Sequence, residues 1–404
     1  MGINRFLSFI FINIFNVLLK TLMLLRGLIL DFTIQSKFKT LALCLIIGLN
    51  AYSQFAVVVS DNIPTFEKEY KVVLMLPFCI GMSEKYKVRD KMADYYEGVE
   101  IAILELEKQG IKMNLTVLDT RQDSMEVIRL LSNPGMQNID LLIGPVYDNE
   151  MVEAQKFCSI YKIPMVSPFR YTSNITGADF PLINCVAQDS IAFQYIGKNA
   201  AVNFKKFQVA VYAGDGKGQI NSAAHNFKVG YELASGKTCT ILDGKTKTAS
   251  NTWNNKDSFM IYCPTKSSSF GLANNRRGKW IVVGMPDWLD MERANYTVFE
   301  GVNFYDPYCV PTQDTVYKKM RKSFRTKYGG DPQRYTFVGY DQFIFFGSAL
   351  MTFNVDFYKH ILNKNFRMVH TNYKFVQRGN LIENAGINLF YYSNYQLYKS
   401  YWRY

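Results

Sequence analysis

The chain has 404 residues, 48% of them hydrophobic and 20% charged, a balance that supports folded cores and excludes a disordered, collagen-like or polytopic membrane protein. Lys and Arg number 46 against 34 Asp and Glu, a formal charge of +12, which suits anionic surroundings without choosing among phospholipid headgroups, cell-wall polymers and nucleic acid. At about 100–200 residues per domain the length predicts two or three domains.

Two apolar stretches open the chain. Phe6 to Leu25 is almost continuously hydrophobic; then come Lys37-Phe38-Lys39, the run Leu41 to Leu49, and Ala51-Tyr52-Ser53. A basic segment, a short apolar run and small residues at −3 and −1 are the parts of a secretory signal peptide. Cleavage is expected after Ser53, so residues 1–53 read as a leader and the periplasm as the destination. The run Leu41 to Leu49 is too short to span a hydrocarbon core, which takes about 20 residues. Phe6 to Leu25 reads either as a membrane anchor or as sequence upstream of a later start such as Met23. The leader holds five basic residues (Arg5, Lys20, Arg26, Lys37, Lys39) and one acid (Asp31), so the positive surplus belongs to the folded part.

From Tyr70 onward strands and helices alternate. Lys71 to Pro77 is a buried-strand run. Over Tyr95 to Gln109, residues Tyr96, Val99, Ile103 and Leu106 share one helical face, and Gly110 suits the helix end. Met113 to Leu118 is a strand, Ser124 to Leu131 a helix, Ile139 to Ile143 a strand, Asn149 to Tyr161 a helix and Pro164 to Ser167 a strand. A second series follows: helix Ser190 to Phe204, strand Phe207 to Tyr212, and strands at Ser258 to Tyr262 and Trp280 to Val283. Ser235 to Lys256 is polar and reads as irregular surface. Apolar strands with helices between them predict parallel sheets covered on both faces. The fold class is α/β, with two Rossmann-like lobes in tandem.

The segments KVVLMLPF, YYEGVEIAILELEKQGI, LTVLDT, IDLLIGPV, YKIPMVSPF and FQVAVYAGDGKG, with GMPDWLDME, KSFRTKYGGDP, FVGYDQFIFFGSAL and IENAGINLFYY later, resemble type I periplasmic binding proteins. These are the substrate-binding components of amino-acid ABC transporters, in a branch that sometimes carries LysM modules. No LysM-like segment is read before Tyr70. The resemblance implies two lobes joined by a multi-strand hinge, lobe 1 over 70–187 plus 306–360 and lobe 2 over 188–305 plus 361–404. It also implies a ligand between them, at the loops beyond the carboxyl ends of the strands.

Those loops supply the candidate ligand-binding residues: Phe78 after the first strand; Tyr147, Asp148 and Asn149 after the third; Ser167, Phe169 and Tyr171 after the fourth; Tyr212, Asp215 and Met285 from lobe 2. Family members that bind amino acids hold the ligand carboxylate with hydroxyls, where Asp148 and Tyr171 stand in this chain. A carboxylate at 148 repels another, so a standard α-amino acid is not the expected ligand, although Arg170 is near in sequence. In the plainer reading Asp148 is a helix N-cap.

Other features point elsewhere. Gly214-Asp215-Gly216-Lys217-Gly218 lacks the phosphate-loop spacing. Lys318, Lys319, Arg321, Lys322, Arg325 and Lys327 crowd one helix, as a solvated face or a contact for an anionic partner. Phe343 to Phe346 reads as buried helix, and Asp341 as a residue that caps or pairs within lobe 1. His225, His360 and His370 show no metal-ligand spacing, and no nucleophile–base pair stands out. Cys79, Cys158, Cys185, Cys239, Cys263 and Cys309 are open to disulfide pairing or to burial as small hydrophobes. The expectation is an exported, non-enzymatic protein without metal, cofactor or nucleic acid, capturing a small polar ligand, amino-acid-like or cell-wall-derived, with an ABC transporter permease or cell-envelope proteins as its partners. Its rival is an envelope scaffold or regulator acting through protein contacts.

Overall fold

The computed structural model describes residues 68–82, 88–169, 180–212, 221–242, 259–263, 280–285, 288, 300–308, 310, 312 and 314–399. These belong to one compact unit, Glu67–Tyr404. The expected leader, the Gly214–Gly218 turn, Arg170, Tyr171 and Cys309 lie outside them.

The first half runs β1 (Tyr70–Leu76), α1 (Val88–Lys108), β2 (Met113–Asp119), α2 (Ser124–Leu131), β3 (Leu141–Ile143), α3 (Asp148–Tyr161), β4 (Met165–Ser167) and β5 (Leu182–Asn184). Strand side chains alternate between faces, and both faces of β1 are buried. Val72, Leu74 and Leu76 join a core with Tyr95 and Val99 of α1, while Val73 and Met75 join another with Val127 of α2 and Met151 of α3. A sheet sealed on both sides has no wet face, which is why its strands read as unbroken apolar runs.

The second half runs α4 (Asp189–Asn203), β6 (Gln208–Tyr212), α5 (Ser222–Ser235), β7 (Thr240–Leu242), β8 (Phe259–Tyr262), β9 (Trp280–Gly284) and β10 (Asn303–Tyr305). Val209 and Val211 pack under α4 and α5; Ala210 and Tyr212 pack with Trp288 on the other face. Then come α6 (Thr315–Tyr328), α7 (Arg334–Phe353), α8 (Phe357–His360) and β11 to β15 (Asn365–Arg367, Asn372–Arg378, Leu381–Asn384, Leu389–Ser393, Gln396–Lys399).

Two sheets result. One has the order β11-β12-β13-β5-β4-β3-β1-β2, the other β15-β14-β10-β9-β8-β6-β7. Two expectations are corrected here. Within the piece 361–404, assigned to lobe 2, strands β11 to β13 join the first sheet, because β13 pairs in parallel with β5, Ile382 against Ile183. Only β14 and β15 join the second sheet. The stretch read as irregular from Ser235 contains β7, paired in parallel with β6.

Helix pairs pack through glycine notches. A methyl group at Gly98 of α1 would stand 1.9 Å from Thr336 O of α7, and one at Gly339 would stand 2.0 Å from Tyr95 O. The backbones touch because neither glycine carries a Cβ, and α7 thereby closes over the first sheet.

The chain passes between the sheets three times: after β5, after β10 and after β13. β5 and β13 run parallel, so both leave the first sheet at its carboxyl edge. β10 runs parallel with β9 and antiparallel to β14, so it leaves, and β14 enters, at the carboxyl edge of the second. All three crossings therefore tie carboxyl edge to carboxyl edge, and the two rows of strand-end loops lie on either side of one hinge.

Candidate functional site

On the first sheet the neighbouring order β4-β3-β1-β2 sets the loops bearing Phe169, Tyr147, Phe78 and Asp119 side by side. Asp119, at the end of β2, fastens the loop after β1. Its Oδ1 accepts from Cys79 N at 2.9 Å and Arg121 N at 3.0 Å, and its Oδ2 from Ile80 N at 2.9 Å. That grip holds Cys79 at φ 52°, a left-handed conformation that a non-glycine residue adopts only when held there. Next to it, Gly144 has φ +89°, and a Cβ there would meet Met75 O at 2.0 Å; only glycine lets β1 and the β3 loop approach so closely.

Tyr147, not Asp148, is the N-cap of α3; Asp148 is the first helical residue. Glu150 reaches back, its Oε2 accepting from Tyr147 N at 3.4 Å. It is fully buried, and its Oε1 has no hydrogen-bond partner. Burial pushes the Glu150 carboxyl up, against the lowering pull of the neighbouring Thr120 hydroxyl and the Tyr147 and Val146 amides. The Tyr147 phenol is raised by burial and by Glu150, and its oxygen accepts from Gln122 Nε2. The Cys79 thiol is raised by burial, then by Asp119 and Glu150, with Arg89 and Arg121 opposing.

The expected site residues fall into place unevenly. Phe78 is half-buried and meets Tyr96 edge-on at 6.2 Å. Asn149 is exposed. Ser167 is buried and donates its hydroxyl to Phe169 O at 3.1 Å. The half-buried Phe169 ring stands between Tyr95, at 5.5 Å, and Tyr335, at 5.8 Å. On the second lobe Tyr212 is buried in its core, while Met285 is half-buried and accepts from Tyr262 OH at 3.8 Å. Tyr171 and Asp215 lie outside the described residues. The structure adds Asp119, Gln122, Glu150 and Tyr335. A carboxylate closing a strand, as in the run Leu115–Asp119, was the one signal for this group.

The hinge has a polar interior. Around a cavity of about 10 Å³ gather Cys185 and Ala187 of the first crossing, Tyr305 and Pro307 of the second, and Asn384 and Asn388 of the third, with Gln342 and His370. Asp341 accepts from Val369 N at 3.0 Å and His370 N at 2.7 Å, and its Oδ2 lies 2.5 Å from His370 Nδ1. Asn388 Nδ2 donates to His370 O at 2.8 Å, and Asn384 Nδ2 to Cys185 O at 3.0 Å. Gln342 accepts from Tyr95 OH at 2.6 Å and donates to Pro168 O at 2.7 Å. Asp341 thus pairs within the first lobe, as its place in the sequence suggested.

The basic helix α6 is largely paired. Arg321 and Arg325 both grip Asp331, whose carboxyl they hold far below its ordinary range. Lys319 pairs with Glu105 and Lys327 with Glu100. Lys318 and Lys322 have no ion-pair partner among the described residues. Among these residues no group of His, Cys, Asp and Glu is placed to hold a metal, and no helix is long and apolar enough to cross a membrane.

Among solved structures the chain is similar to a branched-chain amino acid ABC transporter protein from Rhodospirillum rubrum, with a TM-score of 0.63 and 13% identity over 82% of this chain and 100% of that one. The chain has the type I periplasmic binding fold. A substrate-binding protein of an ABC transporter from Desulfitobacterium hafniense, in complex with Leu, shares that fold with TM-score 0.50 and 16% identity over 82% of this chain and 100% of its own. So does the C-domain of LpoA from Haemophilus influenzae, a regulator of PBP1A, with TM-score 0.56 and 12% identity over 82% of this chain and 99% of its own. No family model and no curated protein matches the chain. In this fold the three crossings are the hinge between the two lobes.

Proposed function

We propose that the chain is an exported, non-enzymatic solute-binding protein that closes two lobes on a small polar ligand and delivers it to an envelope partner such as an ABC transporter permease. One observation carries this reading: three crossings hold the carboxyl edges of two parallel sheets opposite each other. Open α/β sheets take ligands at that edge, and a ligand touching both edges stabilises the closed form by its differential contacts. Proteins of the same fold bind amino acids (the Desulfitobacterium hafniense protein was obtained with Leu), which supports the class of function without naming the ligand. Calorimetry against amino acids, amines, short peptides and cell-wall fragments tests it. Saturable heat from one class is the expected result; silence across the panel contradicts it.

A second reading, an envelope regulator acting through protein contacts, is favoured by Lys318 and Lys322, which leave cationic groups on the outer face of α6. LpoA, of the same fold, is a regulator of PBP1A. Charge reversal of Lys318 and Lys322 would then remove an envelope partner in pull-down while leaving ligand heats unchanged.

A further inference from the structure

We propose that the outer face of α6 docks on a membrane surface, its cations seating the phosphates of anionic lipid headgroups. The inference goes beyond the solute-binding reading and competes with the protein-contact reading of the same lysines.

The first support is charge. Lys318, Arg321, Lys322 and Arg325 follow the i, i+3, i+4, i+7 spacing that puts side chains on one helical face. Acids that meet α6 elsewhere are paired: Glu105 with Lys319, Glu100 with Lys327 (Glu97 lies beside it), and Asp314 with Arg367. The outer face meets Asp331, which Arg321 and Arg325 share. Each arginine spends its Nε and Nη2 on that carboxylate and keeps Nη1 out of the pair. Lys318 and Lys322 are exposed and have no ion-pair partner among the described residues. One carboxylate does not balance four cations, so the face is positive.

The second is shape. The same four side chains, with Thr326, line a surface hollow of about 350 Å³. No apolar or aromatic side chain joins them, because Met320 and Phe324 of α6 are buried in the core. Protein partners anchor on aromatic and aliphatic groups, and lysine is depleted at such contacts. A headgroup phosphate asks only for cations and N–H donors, which ammonium and guanidinium groups both supply.

The third is placement. Lys319 meets Glu105 in the last turn of α1, just before the chain turns back into β2 at the amino edge of the first sheet. The half of α6 that bears Lys318 and Lys322 therefore lies away from the carboxyl-edge loops, and docking leaves those loops open. For an exported chain the bilayer is the nearest polyanion, and its field adds about fivefold in affinity for each lysine or arginine brought to it.

Co-sedimentation with vesicles of phosphatidylcholine alone, or with about 30% phosphatidylglycerol, tests this. The wild-type protein is expected to bind the anionic vesicles only, and to be released at about 0.5 M salt. Lys318→Ala with Lys322→Ala should weaken binding at least about tenfold. Lys205→Ala with Lys206→Ala removes equal charge from the exposed turn after α4 and should leave binding within about twofold of wild type. Both double variants should melt with the wild-type protein, since all four lysines are exposed. No binding to anionic vesicles, equal binding to neutral ones, or equal losses in the two variants overturns the inference. So does poly-glutamate binding that Lys318→Ala with Lys322→Ala abolishes while vesicles stay unbound, which would give the face to an acidic protein. None of these outcomes bears on the calorimetric test of solute binding.

Discussion

Asp341 of α7 and His370, just before β12, meet at 2.5 Å in the interior of the hinge, with exposures of 0% and 4% for the two side chains. Because Asp341 also holds the Val369 and His370 amides, it fixes the turn that leads into β12 and β13, and β13 leads directly into the third crossing. Removing one member of a buried pair strands the other, which costs more than the pair is worth. Asp341→Asn is expected to lower stability by about 3 kcal/mol, read from urea unfolding. A loss within experimental error would show that the hinge does not depend on this carboxylate.

Close approach of α1 and α7 makes a second prediction. Gly98→Ala and Gly339→Ala each drive a methyl group into facing backbone, at 1.9 and 2.0 Å, and should each cost about 2–3 kcal/mol. Gly330, where a Cβ meets nothing within 4 Å, is the control; Gly330→Ala should stay within about 0.5 kcal/mol of wild type. Equal effects at the three positions would contradict the notch.

Glu150 predicts a pH dependence. Burial raises its folded pKa above the ordinary 4.5, so the native state binds the proton more tightly than the unfolded chain. The sign follows: stability from this group rises as pH falls through the folded value toward 4.5 and is lost as pH rises. Glu150→Gln removes the titration. The variant should therefore melt higher than wild type at pH 7–8, with the advantage shrinking toward pH 4.5. An advantage constant with pH would mean that burial does not raise the Glu150 carboxyl.

The five described cysteines, Cys79, Cys158, Cys185, Cys239 and Cys263, are free and buried, which answers the pairing question for them in favour of small hydrophobes. Burial pushes the Cys239 thiol up to about 12 and raises Cys158, Cys185 and Cys263 as well, so thiolate is scarce at neutral pH. Iodoacetamide with peptide mapping should label these four only after denaturation. Disulfide-linked peptides among them would contradict the packing.

The first lobe was legible because β1, β3 and β4 are short apolar runs separated by helices with their own period, with β2 alternating apolar and polar residues at the sheet edge. The carboxyl-terminal strands were not. β11 is half exposed along Asn365–Arg367, and β13 finds its partner β5 across about two hundred residues of chain, a pairing that no local pattern announces. At the edge of the first sheet, sequence offered Phe78, Tyr147, Asp148 and Phe169 as loop residues. It did not show that Asp119 and Glu150 had already claimed the neighbouring amides, since that depends on which strand ends lie adjacent. The basic run on α6 read as a charged face, and only the fold placed Asp331, Glu105 and Glu100 against it.

Closure itself is most directly measured as a distance between lobes. Nitroxides at Met125 on α2 and Leu233 on α5, both exposed, report the separation of the lobes by pulsed electron resonance. The account predicts a distribution that shortens and narrows when a ligand that gives saturable heat is added. An unchanged distribution at saturation would contradict a hinge that closes on its ligand.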